Sequence, residues 1–125
     1  MARILIPMTG TIAMAETIDY ATQIADSLDA KVIVLSVSPH EVTRPSKSIF
    51  DSFEGSTIER KVKFEVQSNN GTLLESTLDY AEKHAVDLIV LGPGITNQFT
   101  FSEMRNRSSI PVLLIPFPMF EENCV

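Results

Sequence analysis

Residues 78–94 read LDYAEKHAVDLIVLGPG. The first half continues a stripe in which Leu74, Leu78, Ala81 and Ala85 fall on one helical face. The second half, DLIVLG at 87–92, carries the apolar run LIVL at 88–91 and reads as a strand covered on both faces. Gly92 and Gly94 follow with Pro93 between them. A helix that feeds a doubly covered strand is half of a crossover unit. Such a unit needs a parallel neighbour, so this stretch sets the fold class.

Reading towards the N-terminus, Thr72 and Glu75 form a capping box that opens the helix. Asn69-Asn70-Gly71 before it reads as a turn. Residues 61–67, KVKFEVQ, alternate strictly, with Val62, Phe64 and Val66 on one side. This predicts a strand with one wet face, or an edge. Residues 38–60 carry Pro39 and Pro45 and read as loop, with one short helix around Ile49, Phe50 and Phe53. KVIVLSV, 31–37, is a β-branched buried strand. Met14, Ile18, Ala21, Ala25 and Leu28 predict one face of a helix over 12–28. RILIP, 3–7, predicts a first strand ended by Pro7, before the turn Met8 to Thr11.

Reading towards the C-terminus, Thr100-Phe101-Ser102-Glu103 is a second capping box, opening a short helix to about Arg107. PVLLIP, 111–116, is a fifth strand fenced by prolines. The order β-α-β-(α)-β-α-β-α-β predicts an α/β fold: a parallel sheet with helices on both faces.

The 125 residues fit one domain, 1–125, with a C-terminal tail at 117–125. Net charge is −6 and no basic patch carries interleaved aromatics, which sets nucleic acid aside as a partner. The N-terminal apolar run is too short for a signal peptide or a span, and no segment reaches the length of a membrane helix. The expected setting is cytoplasmic, with no membrane partner. One cysteine, Cys124, leaves no internal disulfide, and no metal-ligand spacing is present. Asn106-Arg107-Ser108 is a glycosylation sequon by chance in that setting.

These pieces together resemble the universal stress protein family over essentially the full length. The matching pieces are RILIP with its T-G-T turn, KVIVLSVSP, Gly71 before LLESTLDYAEKHAVDLIVLG, and IPVLLIP. The resemblance implies a single-domain, Rossmann-like fold of the adenine nucleotide alpha hydrolase-like type, five parallel strands in the order 3-2-1-4-5. It also implies homodimers joined through the last strand. The middle departs from the family, since residues 40–60 are short for its second crossover helix.

In that strand order the chain reverses direction between strands 1 and 4, and ligands of such folds sit beyond the carboxyl ends there. Nucleotide-binding relatives show Gly, two residues, Gly, nine residues, then Gly with Ser or Thr. Gly lets the backbone approach phosphate, and a hydroxyl at a helix N-terminus adds a donor. From Gly92 this pattern meets Ile95, Arg105 and Asn106; from Gly94 it meets Asn97 and Arg107, although Ser108 fits. Neither frame works. Where relatives carry an Asp after the first strand, this chain has Thr9.

The candidate ligand residues are Thr9, Gly10, Thr11, Gly92, Gly94, Thr96, Asn97 and Ser102, with Thr100 beside them. Each has a plainer reading: Gly92 and Gly94 as a tight strand exit, Thr9 and Thr11 as helix caps. Arg105 and Arg107 either supply charge for a phosphate or form a solvated helix face, and Glu103 in the first turn would occupy the favourable potential. The cofactor implied, if one binds, is ATP or AMP with magnesium. His84 near a helix end and His40 in a loop have no catalytic partner in sequence, so no catalytic residue is named.

Phe117, Met119 and Phe120 follow the last strand as an apolar cluster and, with Val112 and Leu114, form the candidate dimer surface. Three functional classes follow. The first is a non-catalytic dimeric regulatory or interaction module with weakened or lost ATP binding and an unnamed protein partner. The second is an adenine-nucleotide sensor with slow or no hydrolysis. The third is an accessory domain like those attached to transporters, against which the chain's own Met1 speaks.

Overall fold

The computed structural model describes residues 2–9, 15–38, 62–92 and 98–115. The elements run β1 (Ala2–Thr9), α1 (Ala15–Leu28), β2 (Ala30–Ser38), β3 (Phe64–Asn70), α2 (Leu73–Lys83), β4 (Leu88–Leu91), α3 (Gln98–Arg107) and β5 (Val112–Leu114). All pairings are parallel, and the five strands lie in the order β3-β2-β1-β4-β5. The fold class and strand order are those the sequence and its resemblance implied. The helix around Ile49, Phe50 and Phe53 lies outside the described residues.

The alternation of β1 divides the core into two layers. Ile4, Ile6 and Met8 turn to one face and meet Ala21 and Ala25 of α1. Leu5 turns to the other and meets Ala81 of α2 and Met104 of α3. Each of these side chains is almost wholly buried. Burying both faces is why β1, β2 and β4 read as continuous apolar runs.

Four sequence expectations change. The strand does not stop at Pro7: β1 continues to Thr9, paired with β2 from Ala2↔Ala30 through Thr9↔Val37. On α1, Ala21 and Ala25 are buried as the stripe predicted, Thr17 and Thr22 are buried with them, and Leu28, the last helical residue, is 56% exposed. Small residues at steps of four let α1 lie close to the sheet. β3 runs into the expected turn, through Ser36↔Ser68 and Val37↔Asn69 to Ser38↔Asn70. Ladder bonds need only backbone, so polar side chains do not end a strand. The chain turns at Gly71, whose φ of 135° suits glycine.

The fourth change concerns Ala85. α2 starts at the expected cap, with Glu75 N–H donating to Thr72 Oγ1 at 3.3 Å, while the Glu75 carboxylate goes to Arg107. It ends at Lys83, before Ala85. Ala85 takes φ 53°, and Val86 N–H donates back to Ala81 O at 3.2 Å. Val86 and Ala81 also share one buried cluster. This is a Schellman ending with alanine where glycine is usual. It swings the chain from helix into β4.

Candidate functional site

β1 and β4 are neighbours whose crossovers leave in opposite directions, so the crevice for a ligand lies beyond their carboxyl ends. Thr9 ends β1, Gly92 follows β4, and α3 begins its course at Gln98. The structure thus brings Thr9 and Gly92 to adjacent strand ends. Gly10, Thr11, Gly94, Thr96 and Asn97 lie outside the described residues.

Gly92 has a packing role that the sequence did not disclose. A Cβ built there would lie 2.1 Å from Thr17 Oγ1 and 3.0 Å from Thr17 Cβ and Cγ2. The first turn of α1 therefore rests on the end of β4 where a side chain would otherwise stand. Thr17 is fully buried, and its Oγ1 has no hydrogen-bond partner among the described residues. Thr17 was absent from the sequence candidates. Its signal was the four-residue step Thr17, Ala21, Ala25, hidden because a threonine does not read as core.

α3 starts two residues before the expected cap, so Thr100 and Ser102 lie inside the helix rather than at its mouth. Glu103 falls beyond the first turn, which holds no acidic residue, so the amides there keep their favourable potential for an anion. Ser102 is half-buried. Arg105 and Arg107 sit in the last turn, at the opposite end from the crevice. Arg105 lies over the Phe101 ring at 5.9 Å. Arg107 grips Glu75 at 2.9 and 3.2 Å, joining α3 to α2, and that carboxylate raises the Arg107 pKa. Neither arginine serves the crevice.

On the outer edge, Val112 is half-buried against the α2/α3 layer, while Leu113 and Leu114 are 40% and 39% exposed. The open side of the sheet thus presents Leu113 as much as the expected Leu114. A strand of three residues is too short for alternation to reveal that. Phe117, Met119 and Phe120 lie outside the described residues.

A second polar group stands at the amino ends of the strands. Arg3, Lys31, Glu65, Gln67, Tyr80 and His84 line a cavity of about 260 Å³. Arg3 Nη1 donates to His84 O at 2.6 Å, and the Tyr80 and His84 rings stack with centroids 4.0 Å apart. Lys31 pairs with Glu65, which also accepts from Gln67; these bonds hold the Glu65 carboxyl below its ordinary value of 4.5. Burial, with the Glu65 charge beside it, pushes the Tyr80 phenol up.

A depressed carboxylate stabilises the fold above its unfolded-state pKa and loses that contribution as pH falls through the lower folded value. The pair is a third exposed on each side, so screening keeps the effect near 0–1 kcal/mol, about the surface range. Glu65→Gln should lower stability by about that amount at pH 7. Well below the ordinary carboxylate range the variant and parent should unfold at the same urea concentration. A gap that persists at pH 2 would mean the ion pair is not its source.

Among the described residues no three or more His, Cys, Asp or Glu come together as a metal site. None of the described helices is long and apolar enough to cross a membrane.

No family model matches the chain, and no curated protein matches it in sequence. Solved structures do match. A universal stress protein in complex with cAMP superposes with TM-score 0.69 at 17% identity, over 92% of this chain and 97% of that one. The universal stress protein of Archaeoglobus fulgidus in complex with dAMP gives 0.66 at 15%, over 93% and 98%. A universal stress protein family protein of Arabidopsis thaliana with AMP bound gives 0.66 at 15%, over 91% and 90%.

Proposed function

We propose that this chain, which has the fold of the universal stress proteins, is a divergent member of that family. In this reading it is a cytoplasmic, non-catalytic regulatory module that pairs with a second copy through β5 and has given up tight ATP binding. One observation carries it. The loop after β4 lacks the glycine spacing that cradles phosphates, and its first glycine, Gly92, is taken up by contact with Thr17. Fold alone does not confer the ligand of a fold relative. The exposed Leu113 and Leu114 on an open strand edge support pairing with another chain.

A second reading, an adenine-nucleotide sensor with slow or no hydrolysis, has its own support. Fold relatives hold cAMP, dAMP and AMP. The first turn of α3 is free of acidic residues, which favours an anion. Thr9 and Gly92 would then line the site, with magnesium accompanying a triphosphate.

Thermal unfolding with millimolar Mg·ATP, ADP and AMP separates the two. A ligand at about 100 times its dissociation constant adds about 2.7 kcal/mol. Each kcal/mol raises the midpoint by roughly 3–6 °C for a domain near this size. The first reading expects less than about 2 °C with Mg·ATP. A rise of about 8 °C or more would replace it with the second. In parallel, sedimentation velocity should show a dimer that Leu114→Lys converts to monomer; a parent that is already monomeric removes the pairing from the reading.

A further inference from the structure

β5 ends the sheet, and among the described residues no strand flanks its outer side. Its bonds to β4 show which backbone groups that side exposes. Ile89 N–H donates to Pro111 O at 3.0 Å, and Ile115 N–H donates to Leu91 O at 2.8 Å. Successive residues of a strand point their backbone groups to opposite sides. Pro111, Leu113 and Ile115 therefore turn to β4, and Ile110, Val112 and Leu114 turn to the open side.

Two neighbours shorten this edge. One hydroxyl holds Ile110: the Ile110 N–H donates to Ser108 Oγ at 2.9 Å, and the Ser108 O–H donates to the Ile110 carbonyl at 2.9 Å. Ile110 has no donor left for a ladder. At the other end, Pro116 has no N–H by its chemistry. Val112 and Leu114 keep both a donor and an acceptor for a new strand.

A second copy that meets this edge about a twofold axis runs antiparallel to it. Opposed residues must both face the seam, so the axis passes through position 112, 113 or 114. Centred on Val112, the ladder sets Leu114 against Ile110, whose N–H is spent. Centred on Leu114, it sets Val112 against Pro116, which cannot donate. Centred on Leu113, it sets Val112 against Leu114 on both sides of the axis, and each pair exchanges both its bonds. That register also covers the two exposed leucines. By alternation Leu113 shares the α1 face with Ile115 and meets its own copy as a non-hydrogen-bonded pair, in which side chains approach most closely. Leu114 shares the other face with Val112 and meets the second copy's Val112.

We infer that Ser108 sets the register of a β5–β5 interface. By closing the Ile110 edge it restricts pairing with a second copy to Val112↔Leu114 about Leu113. This register rests on the β5 pairing proposed above.

The test uses the full chain with Cys124→Ser, so that each variant carries one thiol. Val112→Cys, Leu113→Cys and Leu114→Cys are oxidised with diamide, and the disulfide-linked dimer is timed on non-reducing gels. At position 113 the introduced thiols oppose each other within disulfide reach. At 112 or 114 like positions are offset along the strands by about 7 Å, which puts them beyond it. Leu113→Cys should therefore cross-link roughly tenfold faster than the other two. Fastest linkage at 112 or 114, or equal rates at all three, overturns the register. Sedimentation velocity on the parent separates the levels of failure. A monomer removes the pairing itself and this register with it. A dimer in which none of the three variants links overturns the β5 seam and leaves self-association standing.

The lock is read by two further changes in the same background. Ser108→Ala frees the Ile110 N–H, so the register about Val112 gains a bond. Val112→Cys should then gain about threefold or more on Leu113→Cys, the worth of one such bond. Ser108→Thr keeps the hydroxyl and should keep the parental order of rates. An unchanged ratio in Ser108→Ala overturns the role of Ser108.

Discussion

Gly92→Ala is expected to lower stability by about 1–3 kcal/mol, the range for overpacking a filled site. The new methyl would lie 2.1 Å from Thr17 Oγ1, far inside contact distance. Thr17 is β-branched and stiff at χ1, and it is fully buried, so it has no open rotamer to retreat into. The first turn of α1 must move instead. Adding Thr17→Ala removes Oγ1 and Cγ2, and most of the loss should return. Denaturant unfolding of the four proteins in this cycle should give a coupling above about 1 kcal/mol, well outside the range for independent sites. Simple additivity would mean that α1 and β4 do not meet here. Thr17→Val alone should be neutral or stabilising, since it keeps the shape and removes a buried hydroxyl that lacks a partner among the described residues.

Leu5→Ala should cost about 2–5 kcal/mol, the usual loss for a buried leucine left as a cavity. Leu5 is fully buried in the layer shared by the sheet, α2 and α3. Domains of this kind have about 5–15 kcal/mol in total, so the variant should approach its unfolding threshold. Leu28→Ala is the control. The same chemical change at a residue 56% exposed should stay within about 0.5 kcal/mol. Urea midpoints compare them directly. A large cost at Leu28 would return that residue to the buried stripe that periodicity favoured.

That contrast shows how far the sequence could be read. Strand identity was legible because both faces of β1, β2 and β4 are covered, which leaves unbroken apolar runs at 4–6, 32–35 and 88–91. The start of α2 was legible because a cap is local: Thr72 and Glu75 are three residues apart and bond each other. Its end was not. Ala85 fits the helical stripe by spacing, and only its left-handed φ ends the helix. The role of Arg107 was equally hidden, because Glu75 lies 32 residues away in sequence and 2.9 Å away in space.

Of the candidate site, the sequence by itself placed Thr9 and Gly92 at the ends of apolar strands and exposed the broken glycine spacing beyond β4. Those properties depend on residue type and local order, which a linear chain carries. Tertiary structure decided that Gly92 makes room for Thr17 and that the arginines stand at the far end of α3. Each of these depends on which segment lies alongside which. That is settled only when distant apolar faces pack and every ladder takes a register, and only then does a missing methyl acquire a neighbour.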